Sequence, residues 1–425
     1  MSEERRLPES RFGRLARLAA MGARAGASML ADRGGAAAAE HAAEVLGNLR
    51  GLAAKVGQMA SYVDGLVPEE HAATFEASLK ALRSQAPRSS AAAIRALVEE
   101  ELGAPIDRLF AEWQDVPIAS ASIGQVHVAR LDDGRRVAVK VQHPGIARAV
   151  ESDLANASIL ESLVGAAGGK RFDSRALLEV VRTRFREELD YEREAASIRH
   201  FAALHAADPT VRVPGLIASR SRRRVLTTEL ARGKTFEEAC EARPADRVAW
   251  AETMWRFVFK GTLVGGMLNA DPHPGNYIFQ DAGRVTFLDY GCIQPLGERR
   301  PRALRIHRAA LARDEAEFRR GVTAMIDSKP GPLEDLAVHY TRACFTPLFE
   351  SPFRISRPFA ANLVGGMREM AVVARKLPLE QFFTMPPEML FVNRLQFGFY
   401  SVLARLDVEV DYARVEAAFI ASAAA

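Results

Sequence analysis

Three short stretches carry the residue types that could handle a metal and a phosphate. "ADPHPGN" (270–276) sets Asp271 and Asn276 five positions apart, and "LDYG" (288–291) presents Asp289. Asn276 and Asp289 are hard oxygen ligands suited to Mg²⁺ bridging the phosphates of ATP, which leaves Asp271 to face an attacking hydroxyl or water. Turn formation accounts for the prolines and glycines here but not for the spacing of acid and amide. Upstream, "VAVK" (137–140) ends in Lys140, fourteen residues after Val126, placed to reach the α- and β-phosphates. Before it runs "ASASIGQV" (119–126). Its residues Ala119, Ser120, Ala121, Ser122, Gly124 and Val126 form a small-residue loop that would let backbone N–H groups approach phosphate oxygens. A lysine so placed needs an acidic partner on a helix. "REELDYEREA" (186–195) offers Glu187, Glu188, Asp190, Glu192 and Glu194, and spacing alone does not choose among them.

The elements that must position these groups show in the hydrophobic periods. From residue 9 to 110 apolar residues recur every three or four positions in an Ala-rich background, the pattern of helices. "SSAAAIRALVEEELG" reads as one of them, closed by Gly103. Near residue 116 the chain becomes β-branched, with a hairpin turn at Asp132-Asp133-Gly134. Helices are expected over 145–165 and, as one long charged element, over 174–204. "VRVPGLIAS" and "RRVLTTEL" read as two further strands. "YIF" and "RVTFL" make a short hairpin turning at Asp281 to Gly283. Beyond Lys234 the remainder reads as helical.

Composition narrows the function classes. The 425 residues carry 57 Lys and Arg against 53 Asp and Glu, a formal charge of +4, too mild over this length to argue for nucleic acid. Basic clusters such as "SRSRRRV" (219–225) read as solvated surface. Cys240, Cys292 and Cys344 are far apart and form no zinc or disulfide spacing, which fits a reducing, cytoplasmic compartment. No apolar run approaches the ~20 residues needed to span a bilayer, and "MLFVNRLQFGFYSVLARL" (389–406) is interrupted by Asn393, Arg394 and Gln396. The expected location is therefore cytoplasmic, at most peripheral on the inner face of a membrane.

Taken in order, these motifs resemble the UbiB family of atypical protein-kinase-like proteins. The Ala-rich loop, the lysine strand "VAVKVQHPG", Glu188-Leu189-Asp190 as the Glu-x-Asp motif, "ADPHPGN" and "LDYG" follow the family's succession, and "KVGQ" (55–58) matches its Lys-x-Gly-Gln. The resemblance implies Glu188 as the partner of Lys140, with Asp190, Lys55 and Gln58 in a regulatory role. It also implies an N-terminal helix packed over the place where other kinases take a peptide. This chain departs from the pattern at Ser120, at Tyr290 in place of Phe, and at Asn269-Ala270, where signalling kinases carry His-Arg before the aspartate. Strand order points to Glu229 and Leu230 as the hinge that meets adenine.

The expected fold is α+β: a bilobal protein-kinase-like fold with a small β-containing N-lobe (113–230), a mainly helical C-lobe (231–425) and an N-terminal helical extension (1–112). The expected function is a Mg²⁺-dependent ATPase supporting ubiquinone or other prenyl-lipid metabolism. Its partners would be ATP and a prenyl-quinone precursor or membrane lipid, with no nucleic acid. Two alternatives stand beside it, a nucleotide- and lipid-binding pseudokinase and a small-molecule kinase of the aminoglycoside or choline type.

Overall fold

Strict alternation in "RVAVKVQ" sets the geometry on which the site depends. Val137, Val139 and Val141 are fully buried on one face of the strand, so Lys140, one residue out of phase, must point to the other. The computed structural model describes residues 89–120, 123–155, 182–183, 186–327, 330–376, 389–421 and 423. Lys55 and Gln58, and the helices expected before residue 89, lie outside them. Of the element expected over 145–165, residues up to 155 are described.

The chain divides into two units. One comprises residues 1–88, 120–123 and 145–155. The other comprises 89–119, 124–144 and 156–425 and holds helix α1 (Ala91–Leu102). Its N-cap Ser90 accepts from Ala93 N–H, and Gly103 ends it at φ 75°, the left-handed stop expected of a glycine. Helix α2 (Ile146–Ala155) belongs to the first unit.

In the larger unit the strands are β1 (Glu112–Trp113), β2 (Gly124–Arg130), β3 (Arg136–Gln142), β4 (Val211–Arg212) and β5 (Val225–Glu229). They form an antiparallel sheet in the order β1-β2-β3-β5. Its valine face packs on Ile94, Leu97 and Val98 of α1. β4 does not join it. This strand pairs in parallel with β8 (Val285–Phe287), which forms the expected hairpin with β7 (Tyr277–Phe279). The hairpin turns through Ala282 and Gly283, both at positive φ. β6 (Met267–Asn269) and β9 (Ile293–Pro295) make a further antiparallel pair.

Helices dominate the rest: α3 (Tyr191–Leu204), α4 (Pro244–Leu263), α5 (Arg300–Leu311), α6 (Glu315–Ile326), α7 (Pro332–Cys344) and α8 (Met389–Leu406). Two-residue strands at 353–354 and 409–410 interrupt what reads in sequence as purely helical. The long charged helix expected over 174–204 is not continuous. It breaks at Leu189-Asp190, because Asp190 caps α3 by accepting from Glu192 N–H, a role that requires non-helical backbone at the cap. The Leu189 carbonyl meanwhile accepts from the Gln142 side chain. Among the described residues no helix is long and apolar enough to cross a membrane.

His205, just past the end of α3, is buried between Phe201 and Phe257, at ring-centroid distances of 6.3 and 5.3 Å. Neither ring nitrogen has a hydrogen-bond partner among the described residues. Burial, reinforced by the positive charge of Lys260, pushes this imidazole from its usual 6.5 down to about 4. The unfolded chain therefore takes up the proton first, so stability is complete above about pH 6.5 and is lost as pH falls toward 4. Between pH 7 and pH 5 the loss amounts to about 2 kcal/mol. Denaturant unfolding at both pH values should show His205→Phe missing that increment, and an unchanged pH dependence would contradict it.

Candidate active site

β3 brings Lys140 to the face opposite the valines, directly across from Val126 on β2 and Leu226 on β5. There its ammonium meets both carboxylate oxygens of Glu194, at 3.0 and 2.8 Å. Asp289 Oδ2 lies 3.9 Å away, and the Tyr191 ring centroid 5.1 Å. Glu194 is 4% exposed. Burial works against the ammonium, but the charges of Asp289 and Glu194 outweigh it and hold Lys140 well above the ordinary lysine value. Lys140 is thus a fixed cation aimed into the same space as the Asp289 carboxylate.

The partner is Glu194, not the Glu188 that the family resemblance implies. Because α3 starts at Tyr191, the residues Tyr191, Glu194, Ala195 and Ile198 fall on its buried stripe, the i, i+3, i+4, i+7 face of a helix. Glu188 lies before the cap, on the far side of the break. One signal in the sequence could have distinguished them, an acid standing inside an apolar helical stripe.

Two turns supply the oxygen ligands, and Asn269 ties them together. Its Nδ2 donates to the Asp289 carbonyl at 3.0 Å, while its Oδ1 accepts from Asp271 N–H at 3.2 Å. Asn276 Nδ2 donates to the Asp271 carbonyl at 3.1 Å and lies 3.3 Å from its Oδ2. That orientation leaves Oδ1 of Asn276 as the atom for a cation. The Leu288 amide donates to the Asn276 carbonyl at 2.9 Å, and Gly291 N–H donates to Asp289 Oδ1 at 2.7 Å. His273 Nδ1 accepts from Gly275 N–H, so this histidine shapes the turn. Asn269 was not identified from the sequence as functional, although an amide two residues before Asp271 carries the donor and acceptor the task needs. Among the described residues no three His, Cys, Asp or Glu side chains cluster as a metal site. An amide and a carboxylate instead suit Mg²⁺, which completes its shell with phosphate and water.

Other expected residues are placed as follows. A Cβ on Gly124 would lie 2.5 Å from the Val141 carbonyl oxygen and 2.8 Å from the Tyr191 hydroxyl, so sheet packing alone demands glycine there. Ala121 and Ser122 lie outside the described residues, Ser120 belongs to the other unit, and Ala119 precedes β2 at the edge of the larger one. At the hinge, Glu229 N–H donates to the Gly215 carbonyl at 2.8 Å and Leu230 N–H to the Arg136 carbonyl at 3.1 Å. Both amides are committed, so those two residues present only carbonyls to a base. Asp190 acts as the cap described above. Behind Asp289, the Tyr290 ring packs on Phe201 at 5.4 Å. Its buried hydroxyl has no hydrogen-bond partner among the described residues.

A small antiparallel sheet holding a lysine–glutamate pair, set with a helical region carrying two acid-bearing turns, defines an α+β, protein-kinase-like fold. The chain belongs to the ABC1 atypical kinase-like domain family, whose profile matches residues 81–320. It is 32% identical over 318 residues to the rat protein named atypical kinase COQ8B, mitochondrial, covering 70% of this chain and 59% of the relative. Similarity to the Caenorhabditis elegans atypical kinase coq-8, mitochondrial, is 30% over 389 residues, covering 88% and 49%. An uncharacterized Synechocystis protein is 35% identical over 257 residues, covering 60% of this chain and 37% of its own length. The chain therefore spans between about a third and three fifths of these relatives. Among solved structures, a Mycobacterium tuberculosis protein in complex with erythromycin superposes with a TM-score of 0.60 at 24% identity, covering 87% of this chain and 92% of that one.

Three substitutions check this geometry. Replacing the orphaned hydroxyl by Tyr290→Phe should raise stability by about 1 kcal/mol, since an unpartnered buried polar group is removed at constant shape. In nucleotide titrations, Glu194→Gln should weaken Mg-ATP binding roughly tenfold or more through loss of a buried charge-assisted contact, while Glu188→Gln leaves it within about twofold. Equal effects from the two glutamates would show that the pairing is misassigned.

Proposed function

We propose that this chain binds Mg-ATP at the Lys140–Asp289 cleft and hydrolyses it, in support of prenyl-quinone or related lipid metabolism. The observation that carries the nucleotide reading is the convergence of one part-buried ammonium, Lys140, with one part-exposed carboxylate, Asp289, at 3.9 Å. Asn276 is held beside them through Asp271. In this reading Lys140 holds the α- and β-phosphate oxygens, and Glu194 keeps its ammonium in place. Asn276 Oδ1 and Asp289 hold Mg²⁺, which when bound neutralises charge developing on the β- and γ-phosphates. Asp271 faces the nucleophile, a water or a hydroxyl. Its backbone amide is anchored by Asn269 and its carbonyl by Asn276, so the carboxylate is supported from both sides.

The adenine edge meets the Glu229 carbonyl. Because the Glu229 and Leu230 amides are committed elsewhere, the N–H that faces adenine comes from Ala231 or beyond. Lys55, Gln58 and Asp190 have a regulatory role, and peptides are not the substrates. A lipid or prenyl-quinone precursor is the substrate class, met by peripheral contact with a membrane. Similarity to two relatives named as COQ8 atypical kinases supports that class.

Thermal melts with ATP should show a stabilisation that needs Mg²⁺ and disappears in Lys140→Ala. Release of inorganic phosphate should be lost in Asp289→Asn. Retained shift without any phosphate release in the unsubstituted protein would instead favour the pseudokinase. Radiolabel transferred to a small alcohol would favour the small-molecule kinase.

A further inference from the structure

A cavity of about 620 Å³ lies among α4, α5, α6, α7 and α8, on the strand pair β6–β9. None of Lys140, Glu194, Asp271, Asn276 or Asp289 lines it. Trp255, Phe259, Ile306, Val322 and Phe399 form apolar walls. Close packing leaves few interior voids larger than a water molecule. This volume instead falls within the range of small-molecule sites, which combine apolar walls with a few polar groups.

Charge is distributed unevenly between the mouth and the wall. Of the lining residues only Pro295, Glu298 and Arg302 are exposed, so the cavity opens where the chain enters α5. Arg299, also in the lining, is half-buried beside them. Two guanidiniums against one carboxylate give this rim an excess of one positive charge. Arg302 is held there by donating to the Ala324 carbonyl at 3.0 Å, in the last turn of α6. That bond uses one of five guanidinium N–H donors, and Arg302 makes no ion pair among the described residues.

Deeper in the wall the balance is different. His307 Nδ1 lies 2.6 Å from Glu416 Oε1, and Trp255 Nε1 donates to the other carboxylate oxygen at 3.0 Å. Glu416 is fully buried. Its carboxylate balances an imidazolium and outweighs a neutral imidazole, so this wall does not attract an anion. Burial pushes the Cys344 thiol up to about 12, which keeps it uncharged. The lining is therefore apolar without positive excess inside, and positive only at its mouth.

We infer that this cavity is a binding site for a single-chain amphipathic anion, a carboxylate or phosphate monoester on an aliphatic chain. The chain lies inward against the apolar walls, and the head group is met at the mouth by Arg302 with Arg299, since a guanidinium matches either kind of anion. The site is separate from the nucleotide cleft, and its assignment does not rest on nucleotide binding.

The probe is cis-parinaric acid, a polyene carboxylate that accepts excitation from tryptophan, with Trp255 on the cavity wall as the donor. Saturable sensitised emission is expected from the full chain without nucleotide. Dodecanoate, dodecyl phosphate and dodecanol then compete for the site. At least one of the two anions should displace the probe at a lower concentration than the alcohol, and the better anion identifies the head group. Arg302→Gln should weaken the anions roughly threefold or more, and Glu298→Gln should strengthen them roughly twofold. Neither change should move the alcohol. Met325→Trp, which fills the cavity from the partly buried side of α6, should abolish saturation. Should Met325→Trp fail to fold, as read from its circular-dichroism melt, the two charge variants decide alone. The assignment is overturned by non-saturable emission in the unsubstituted protein or by an alcohol that competes as well as both anions. It is equally overturned by anion affinities that do not move in opposite directions in Arg302→Gln and Glu298→Gln, or by binding that survives in a folded Met325→Trp.

Discussion

Lys140 is a part-buried ammonium, stabilised there because two carboxylates approach it from separate parts of the chain. Glu194 comes from a helix and Asp289 from a turn, so the one cation joins β3, α3 and the Asp289 loop. Taking either charge out of water is expensive, and only close pairing offsets the cost. A lysine held this way remains charged at any ordinary pH. Asp289 is the less buried of its two partners, which leaves that carboxylate accessible while Glu194 serves the lysine.

The rest of the cleft supports that arrangement by backbone hydrogen bonds and by packing. Asn269 holds the Asp289 carbonyl and the Asp271 amide at once, and Asn276 holds the Asp271 carbonyl. Behind them, Phe257 stacks on Phe287 at 3.6 Å, and Phe201 of α3 packs on Tyr290. The same α3 thus sets Glu194 on one side and an aromatic contact on the other. Its position is fixed at the start by the Asp190 cap and by Tyr191 N–H, which donates to the Arg223 carbonyl at 2.9 Å.

Much of this was legible in the residues. Strict alternation in "RVAVKVQ" shows that Lys140 must leave the core face, and Asp-Gly and Ala-Gly turns mark both hairpins. Gly103 marks the end of α1, and the five-residue step from Asp271 to Asn276 marks the paired turns. These signals are local, because a strand's period, a cap and a tight turn are decided within a few residues. Other features were not legible. "VRVPGLIAS" reads as one strand, but it divides: Val211–Arg212 pairs with β8, more than seventy residues away, while Leu216 bridges Thr228 of β5. Nothing in a strand's own composition names its partner.

The sequence by itself determined a kinase-like order of motifs, the helix-rich character, the face on which Lys140 emerges and the residue types available for a divalent cation. Tertiary structure alone decided which acid among five pairs with that lysine, and that Asn269 joins the two turns. Each of these depends on where a helix begins or on which segments lie side by side. Such outcomes are set by packing between distant residues, whose energy no local pattern contains.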